Sequence, residues 1–204
     1  MKRREAIKSI TLSSGAIISS ASILGLLQSC TEKEATWKPQ YFSELEGEIL
    51  QVVCDFVLPK SNTPSATEVN VPQFIDLMMK DVYGLDRVEK FQKGMAVFND
   101  AYKSMEGEDF SEASSDKQTE ILSGYFDISE NEGNEVKKLI RGDAPNSDSD
   151  KYYIYSFLSS LRNMTIEAYF QSEQIGEEVL AYDPIPGRFD GCIPSEEVGK
   201  VWSL

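Results

Sequence analysis

Carboxylates and three cysteines are the residues with which this chain could do chemistry, because its 204 residues contain no histidine. Histidine is the usual general base near neutral pH and a common metal ligand, so its absence excludes Ser-His-Asp and Cys-His catalytic arrangements. The 34 Asp and Glu residues could still pair as acid and base. They lie mostly in predicted loops and on the polar faces of predicted helices, which favours a solvated acidic surface over a catalytic pair.

Binding motifs for cofactors and metals are also missing from the sequence. No glycine-rich phosphate loop of the G-x-G-x-x-G or G-x-x-x-x-G-K type occurs. The acidic stretch 146–157 lacks the Gly and Glu that an EF-hand loop requires, and Cys54 and Cys192 are too far apart for a Cys-x-x-Cys zinc pair. We therefore predict no catalytic, cofactor-binding or metal-binding residue, and a protein that is not itself an enzyme.

The first 29 residues have the layout of an export signal. Basic residues, including Arg3 and Arg4, precede a weakly apolar stretch over residues 10–27, and Ser29 stands before Cys30. Residues 27–30 (LQSC) resemble a lipobox, in which a peptidase cuts before a cysteine that carries acyl chains. A retained transmembrane anchor is the alternative, although the stretch is barely long enough. The favoured prediction is an exported protein, lipid-anchored at Cys30 on the periplasmic or cell-surface face of a bacterial membrane.

The export route has two readings. Arg3 and Arg4, followed by residues 6–8 (AIK), resemble a twin-arginine signal, which exports folded cargo. An ordinary secretory signal that happens to contain two arginines is the other reading. Since a lipobox occurs on both routes, the sequence leaves the choice open.

Cleavage before Cys30 makes the remaining chain strongly acidic. It then carries 16 basic and 33 acidic residues, for a net charge of −17. Such a surface repels phosphate backbones, so nucleic acid is excluded as a partner. Cys54 and Cys192 remain as thiols, and outside the cytoplasm they could pair with each other, bridge to another chain or stay free.

Helical periodicity dominates the chain after residue 42. Cap patterns precede four of the apolar runs: Ser43 with Glu46, Asp86 with Glu89, Ser115 with Gln118, and Ser129 with Glu132. Residues 152–170 are rich in Tyr, Phe and Leu and are predicted to form a central helix. The longest apolar stripe consists of Val88, Phe91, Met95, Phe98, Tyr102 and Met105.

The connections between these runs are rich in turn-forming residues. Residues 107–114 are predicted to be an acidic loop containing Phe110, and residues 183–204 are irregular because prolines and glycines recur there. The predicted fold is all-α: an irregular bundle of six to seven helices with an extended C-terminal tail. The predicted segments are an export signal over 1–29, a lipidated tether over 30–42 and a helical domain over 43–204.

Six short motifs follow one another in order along the chain. A helix ending in an apolar residue and proline comes first, followed by a Thr/Pro/Ala loop and a V-P-x-F-I-D segment. Looser motifs follow, including a Gly-Cys ending. The motifs are residues 49–60 (ILQVVCDFVLPK), 63–66 (TPSA), 71–76 (VPQFID), 91–94 (FQKG), 169–173 (YFQSE) and 186–192 (PGRFDGC). In this order they resemble the gluconate 2-dehydrogenase subunit 3 family. The family often has Gly-Ala where Ser65 and Ala66 stand here, which leaves the turn in that loop undefined.

The resemblance implies a non-catalytic small subunit. Such subunits accompany a large flavoprotein of the glucose-methanol-choline type, a sugar or polyol dehydrogenase that holds the FAD, and they supply its export signal and help it mature. We expect the tail to lie across that partner, because Phe189, Ile193, Val201 and Trp202 have no helical pattern to bury them. The alternative is a stand-alone surface lipoprotein that binds an extracellular ligand such as a glycan.

Overall fold

The computed structural model describes residues 37–142, 149–182, 185, 187, 192 and 194–202. These ranges contain seven α-helices: α1 (Glu44–Val57), α2 (Val71–Asp81), α3 (Leu85–Glu106), α4 (Ser115–Phe126), α5 (Glu130–Arg141), α6 (Ser149–Gln171) and α7 (Ser195–Val198). A 3-10 turn (Phe110–Glu112) precedes α4, and a π-helical turn (Ile175–Val179) follows α6. Only an isolated bridge between Ala181 and Trp202 has β character in the described residues, so the predicted all-α fold is confirmed.

The helices begin and end where local chemistry favours it. Ser43 Oγ accepts a hydrogen bond from the backbone N–H of Glu46, and the Glu46 carboxylate accepts one from the N–H of Ser43. Ser129 and Glu132 form the same capping box before α5, so two of the four predicted caps are confirmed. The other two are wrong, because the N-cap of α3 is Gly84 and that of α4 is Ser114. Helix α3 ends at Gly107, whose φ of +86° is a left-handed conformation that glycine adopts without steric cost.

Helix α6 is central and contacts α1, α2, α3 and α5. Its Phe157 ring packs against Phe91 and Phe98 of α3, with centroids 5.0 and 6.0 Å away. Phe110, from the segment predicted to be a loop, is fully buried and lies edge-on to Phe98 at 4.8 Å. The apolar stripe of α3 thus faces the core, except that Met105 in its last turn is exposed.

Gly94 allows α3 and α6 to approach closely. A Cβ at this position would lie 2.6 Å from both the Phe157 Cβ and the Tyr153 carbonyl oxygen. Only a residue without a side chain fits between two helices at this separation. Gly94 is the last residue of the FQKG motif, so the motif marks the crossing point of the two longest helices.

Asp76 fastens the segment that precedes α1. The side chain is 1% exposed, and its carboxylate accepts backbone hydrogen bonds from Gln40 (2.6 Å), Tyr41 (3.1 Å) and Phe42 (3.1 Å). Phe42 is buried, and its ring lies 5.9 Å from that of Phe91. Residues 40–42, which the sequence places in the tether, are therefore held against the helical body.

Among the described residues, no helix combines the length and the apolar character that a membrane span requires.

Candidate partner-binding site

The structure describes only some of the residues predicted to have functional roles. Those described are Cys54, Cys192, Val201 and Trp202. The residues that lie outside the described ranges are Arg3, Arg4, Cys30, Phe189 and Ile193. Export, lipidation at Cys30 and the contribution of Phe189 and Ile193 to partner contact therefore stay predictions.

The described end of the tail returns to the residues that follow α6. The backbone N–H of Ala181 donates a 2.7 Å hydrogen bond to the Val201 carbonyl, and Ala181 and Trp202 form a parallel bridge. The Lys200 ammonium donates to the Glu178 carbonyl at 3.2 Å. These contacts bring Val201 and Trp202 beside residues 181–182, about twenty positions earlier in the chain.

This return places Tyr182, which follows the bridged Ala181, beside Val201 and Trp202, and Ile185 lies three positions further along the chain. We call these four exposed apolar side chains the C-terminal apolar surface. Its members, with their exposed fractions, are Tyr182 (51%), Ile185 (84%), Val201 (75%) and Trp202 (50%). Clustered exposed apolar side chains mark interaction sites more often than single ones do. The sequence did not indicate Tyr182 and Ile185, although their position around Pro184 already argued against burial in a helix.

The π-helical turn connects this surface to the core. Ile175 is fully buried, and its carbonyl accepts a hydrogen bond from the backbone N–H of Leu180 at 2.9 Å. Beyond Gly176, none of the residues whose burial the structure describes is buried. The C-terminal apolar surface therefore makes little contribution to the core.

Acidic residues lie close to the apolar ones along the chain. Glu177 and Glu178 lie in the π-helical turn, Glu196 and Glu197 lie in α7, and all four are exposed. An apolar centre with a charged rim is the usual composition of a protein interface. The sign of this rim is complementary to a partner surface that carries Lys or Arg.

A second set of exposed apolar side chains lies on α2 and just beyond it. Phe74 and Leu77 share one face of the helix, Val82 follows α2, and Leu85 is the first residue of α3. The opposite face, with Ile75 and Met79, is buried. This second surface, which we call the α2 surface, offers an internal comparison for the C-terminal one.

The two cysteines are free thiols in very different settings. Cys54 is fully buried in α1, its Sγ lies 3.3 Å from Thr165 Oγ1, and burial raises its pKa to about 12. Cys192 is exposed. The structure thus does not contain the internal Cys54–Cys192 pair that the sequence left open, and only Cys192 is placed where another chain could reach it.

We expect thiol reagents to distinguish the two cysteines. In a folded Cys30→Ser chain at pH 8, Cys192 should react at once. Cys54 should react at least about a thousandfold more slowly, since its pKa is raised from 9.0 to about 12 and the thiolate is the reactive form. Ellman's reagent, with and without denaturant, measures both rates. Equal rates in the folded protein would contradict this account of Cys54.

Carboxylates and thiols do not converge on a chemical centre in the described part of the chain. No group of three Asp, Glu or Cys side chains there could hold a metal ion. The lowered pKa values of Glu68 and Asp109 follow from hydrogen bonds to Lys60 and Lys103, which are surface ion pairs.

One known protein family matches most of this chain. The profile of gluconate 2-dehydrogenase subunit 3 matches residues 44–187. The chain belongs to this family. The match covers α1 through α6 and ends at Gly187, short of Cys192 and of Val201 and Trp202. Neither a search of the curated proteins nor one of the solved structures returned a match.

Some residues of the motifs shared with the gluconate 2-dehydrogenase subunit 3 family have structural roles in the core. Within VPQFID, Ile75 and Asp76 are buried, whereas Phe74 is exposed. The family's name describes one subunit of a dehydrogenase complex, which implies a separate catalytic subunit. Tyr182 and Ile185 lie inside the matched range, so half of the C-terminal apolar surface belongs to the family's part of the chain.

Proposed function

We propose that this protein is a non-catalytic accessory subunit that binds the large subunit of an FAD-dependent sugar or polyol dehydrogenase, assists its maturation, and exports and anchors it. The observation that carries the proposal is the C-terminal apolar surface, four large exposed side chains attached to a fully folded helical body. The large subunit, of the glucose-methanol-choline type, holds the FAD. This chain supplies the docking surface and, through residues 1–30, the export signal and lipid anchor.

The position of the surface supports a role in docking rather than in folding. Because the described core ends near Ile175, the exposed side chains of Tyr182, Ile185, Val201 and Trp202 stabilise the isolated chain little. Their acidic rim adds charge complementarity, which speeds encounter with a basic partner surface and favours one orientation. Bulky side chains such as Trp and Tyr carry much of the binding energy at protein interfaces when a partner covers them.

Affinity purification of the full chain from its native membranes tests the function. A yellow eluate with flavin absorbance, containing a large oxidoreductase in equal amount, is the expected result. A colourless eluate without an oxidoreductase would overturn the proposal. Mass spectrometry of the same sample, with an acylated Cys30 as the first residue, tests the anchor separately.

The double substitution Val201→Ser with Trp202→Ser should weaken association with the large subunit by about thirtyfold, which corresponds to about 2 kcal/mol. Removal of residues 184–204 should weaken it at least as much. In both cases the melting temperature of the isolated chain should change little, because the residues of this tail whose burial the structure describes are all exposed. Surface plasmon resonance measures the affinity, and circular dichroism measures the melting.

The α2 surface provides the matched control. The double substitution Phe74→Ser with Leu77→Ser removes two exposed apolar side chains of similar size from a different face. It should leave the affinity within about threefold of the original, well below the tenfold change that 1.4 kcal/mol produces. Loss of binding in this variant, with normal binding by the tail variant, would move the interface to α2.

A further inference from the structure

A cavity of about 460 Å³ lies between α3, α5 and α6, on residues that the C-terminal surface does not use. Phe91 and Ser156 are buried at its base, and Asp86, Arg87 and Asn163 are exposed at its rim. The volume falls within the range of small-molecule sites in proteins. An aromatic ring beneath polar side chains provides both an apolar and a hydrogen-bonding surface.

The central helix contributes a row of polar side chains to this cavity. Ser156, Ser159, Ser160 and Asn163 follow one another at helical spacing along α6, and all of them line the cavity. Ser156 Oγ is buried and has no hydrogen-bond partner within the described chain. A buried hydroxyl without a partner is costly, so this atom favours a ligand that donates or accepts a hydrogen bond there.

Helix α3 contributes two cations that aromatic rings hold in place. The Arg87 guanidinium lies 3.6 Å from the centroid of the Tyr83 ring, and the Lys90 ammonium lies 4.5 Å from that of Tyr152. Within the described ranges, no carboxylate lies within 4 Å of either cation. Both cations are therefore available to a negatively charged ligand in the cavity.

The charges of the lining define the charge of the ligand. Arg87 and Lys90 bring two positive charges and Asp86 one negative charge, so a ligand with a single negative charge neutralises the site. A planar carboxylate suits the guanidinium, and the serine hydroxyls, the Asn163 amide and the Asp86 carboxylate suit ligand hydroxyls. A phosphate ester, with nearly two negative charges, would leave an excess of charge.

We propose that this cavity binds a monosaccharide-sized sugar acid, with the carboxylate at Arg87 and Lys90 and the hydroxyls along the polar row of α6. The Phe91 ring at the base provides the apolar contact. Because the cavity and the C-terminal apolar surface use different residues, this site functions whether or not the protein binds a large subunit. The structure thus assigns the protein a ligand site in addition to its docking surface.

Calorimetry on the full chain tests the site with D-glucuronate as the probe. D-glucose is the neutral comparison, since it keeps the ring and lacks the carboxylate, and glucose 6-phosphate is the doubly charged one. We expect D-glucuronate to bind at least about tenfold more tightly than either. Absence of D-glucuronate binding, or equal binding by D-glucose, would overturn the proposal.

Substitutions locate the binding within the protein. Arg87→Gln and Lys90→Gln should each weaken D-glucuronate binding by about tenfold or more, the usual effect of losing a charged hydrogen-bond partner. Ser156→Ala should weaken it by several-fold. Lys93→Gln is the matched control, because Lys93 lies one turn further along α3 and over the Tyr153 ring, outside the cavity lining. Equal binding by the Lys90→Gln and Lys93→Gln chains would contradict the assignment.

Discussion

Replacement of Gly94 by alanine is expected to lower the free energy of unfolding by about 3 kcal/mol, the upper part of the range for overpacked cores. The added methyl group would lie 2.6 Å from the Phe157 Cβ and from the Tyr153 carbonyl oxygen. The Phe157 Cβ and the Tyr153 carbonyl belong to the backbone region of α6, so no rotamer change relieves the clash. Helices α3 and α6 must instead separate, which loosens the packing of Phe91 and Phe98 against Phe157.

Gly124 is the matched control for this prediction. It lies in α4 with nothing within 4 Å of a built Cβ, so Gly124→Ala should stabilise the protein by up to about 1 kcal/mol through helix propensity. Urea unfolding measures the change in the free energy of unfolding for each substitution. A decrease at Gly94 together with an increase at Gly124 would attribute the loss at Gly94 to the close approach of α3 and α6. A Gly94→Ala chain as stable as the original would mean that the two helices do not approach so closely.

The sequence predicted the elements that depend on neighbouring residues. Capping boxes such as Ser43 with Glu46 involve positions three residues apart, and the stripe on α3 repeats every three or four residues, so both are visible without a fold. Met105 continues the stripe by spacing but is exposed. Periodicity could not predict this exposure, since it does not tell where the neighbouring elements end. Local patterns define a helix face, while the packing partner decides how much of that face is buried.

Long-range contacts were not predictable in the same way. Phe110 lies in an acidic segment and is nevertheless fully buried, because Asn99 Oδ1 accepts its backbone N–H at 2.9 Å and directs the chain into the core. The close approach at Gly94 and the three hydrogen bonds to Asp76 likewise join residues far apart in the chain. A motif could mark these positions, but only the fold gives their physical reason.

The candidate binding surface was predictable in part. Val201 and Trp202 could be singled out because the tail has no helical pattern to bury them, and both are exposed. Tyr182 joins them only through the hydrogen bond from the neighbouring Ala181 to the Val201 carbonyl, which no periodicity reports. The cavity residues Arg87 and Lys90 lie on α3, whereas Ser156 lies on α6. Their common cavity depends on how the two helices pack, so the sequence pattern of either helix could not predict it.

Replacement of Asp76 by alanine is expected to have the largest effect, a loss of about 4 kcal/mol in the free energy of unfolding. Its carboxylate accepts the backbone N–H groups of Gln40, Tyr41 and Phe42, and hydrogen bonds to a charged group contribute about 1.5 to 3 kcal/mol each. Release of the segment also exposes Phe42, whose burial contributes about 2 kcal/mol. The freed segment regains conformational entropy, which offsets part of this sum.

Two further substitutions distinguish the effect of losing these hydrogen bonds on stability from the effect of removing a negative charge from α2. Asp76→Asn keeps only one acceptor oxygen, which can serve either the N–H groups of Tyr41 and Phe42 or that of Gln40, while the amide N–H₂ faces the other side. About half of the stability loss seen with Asp76→Ala should therefore remain. Asp81→Ala removes an exposed carboxylate from the same helix and should change stability by less than about 0.5 kcal/mol. Urea unfolding gives the energies, and amide hydrogen exchange at residues 40–42 should accelerate only in the Asp76 variants. Since these residues connect the helical body to the predicted lipid anchor, slow exchange there after Asp76→Ala would mean that contacts other than the carboxylate hold the connection.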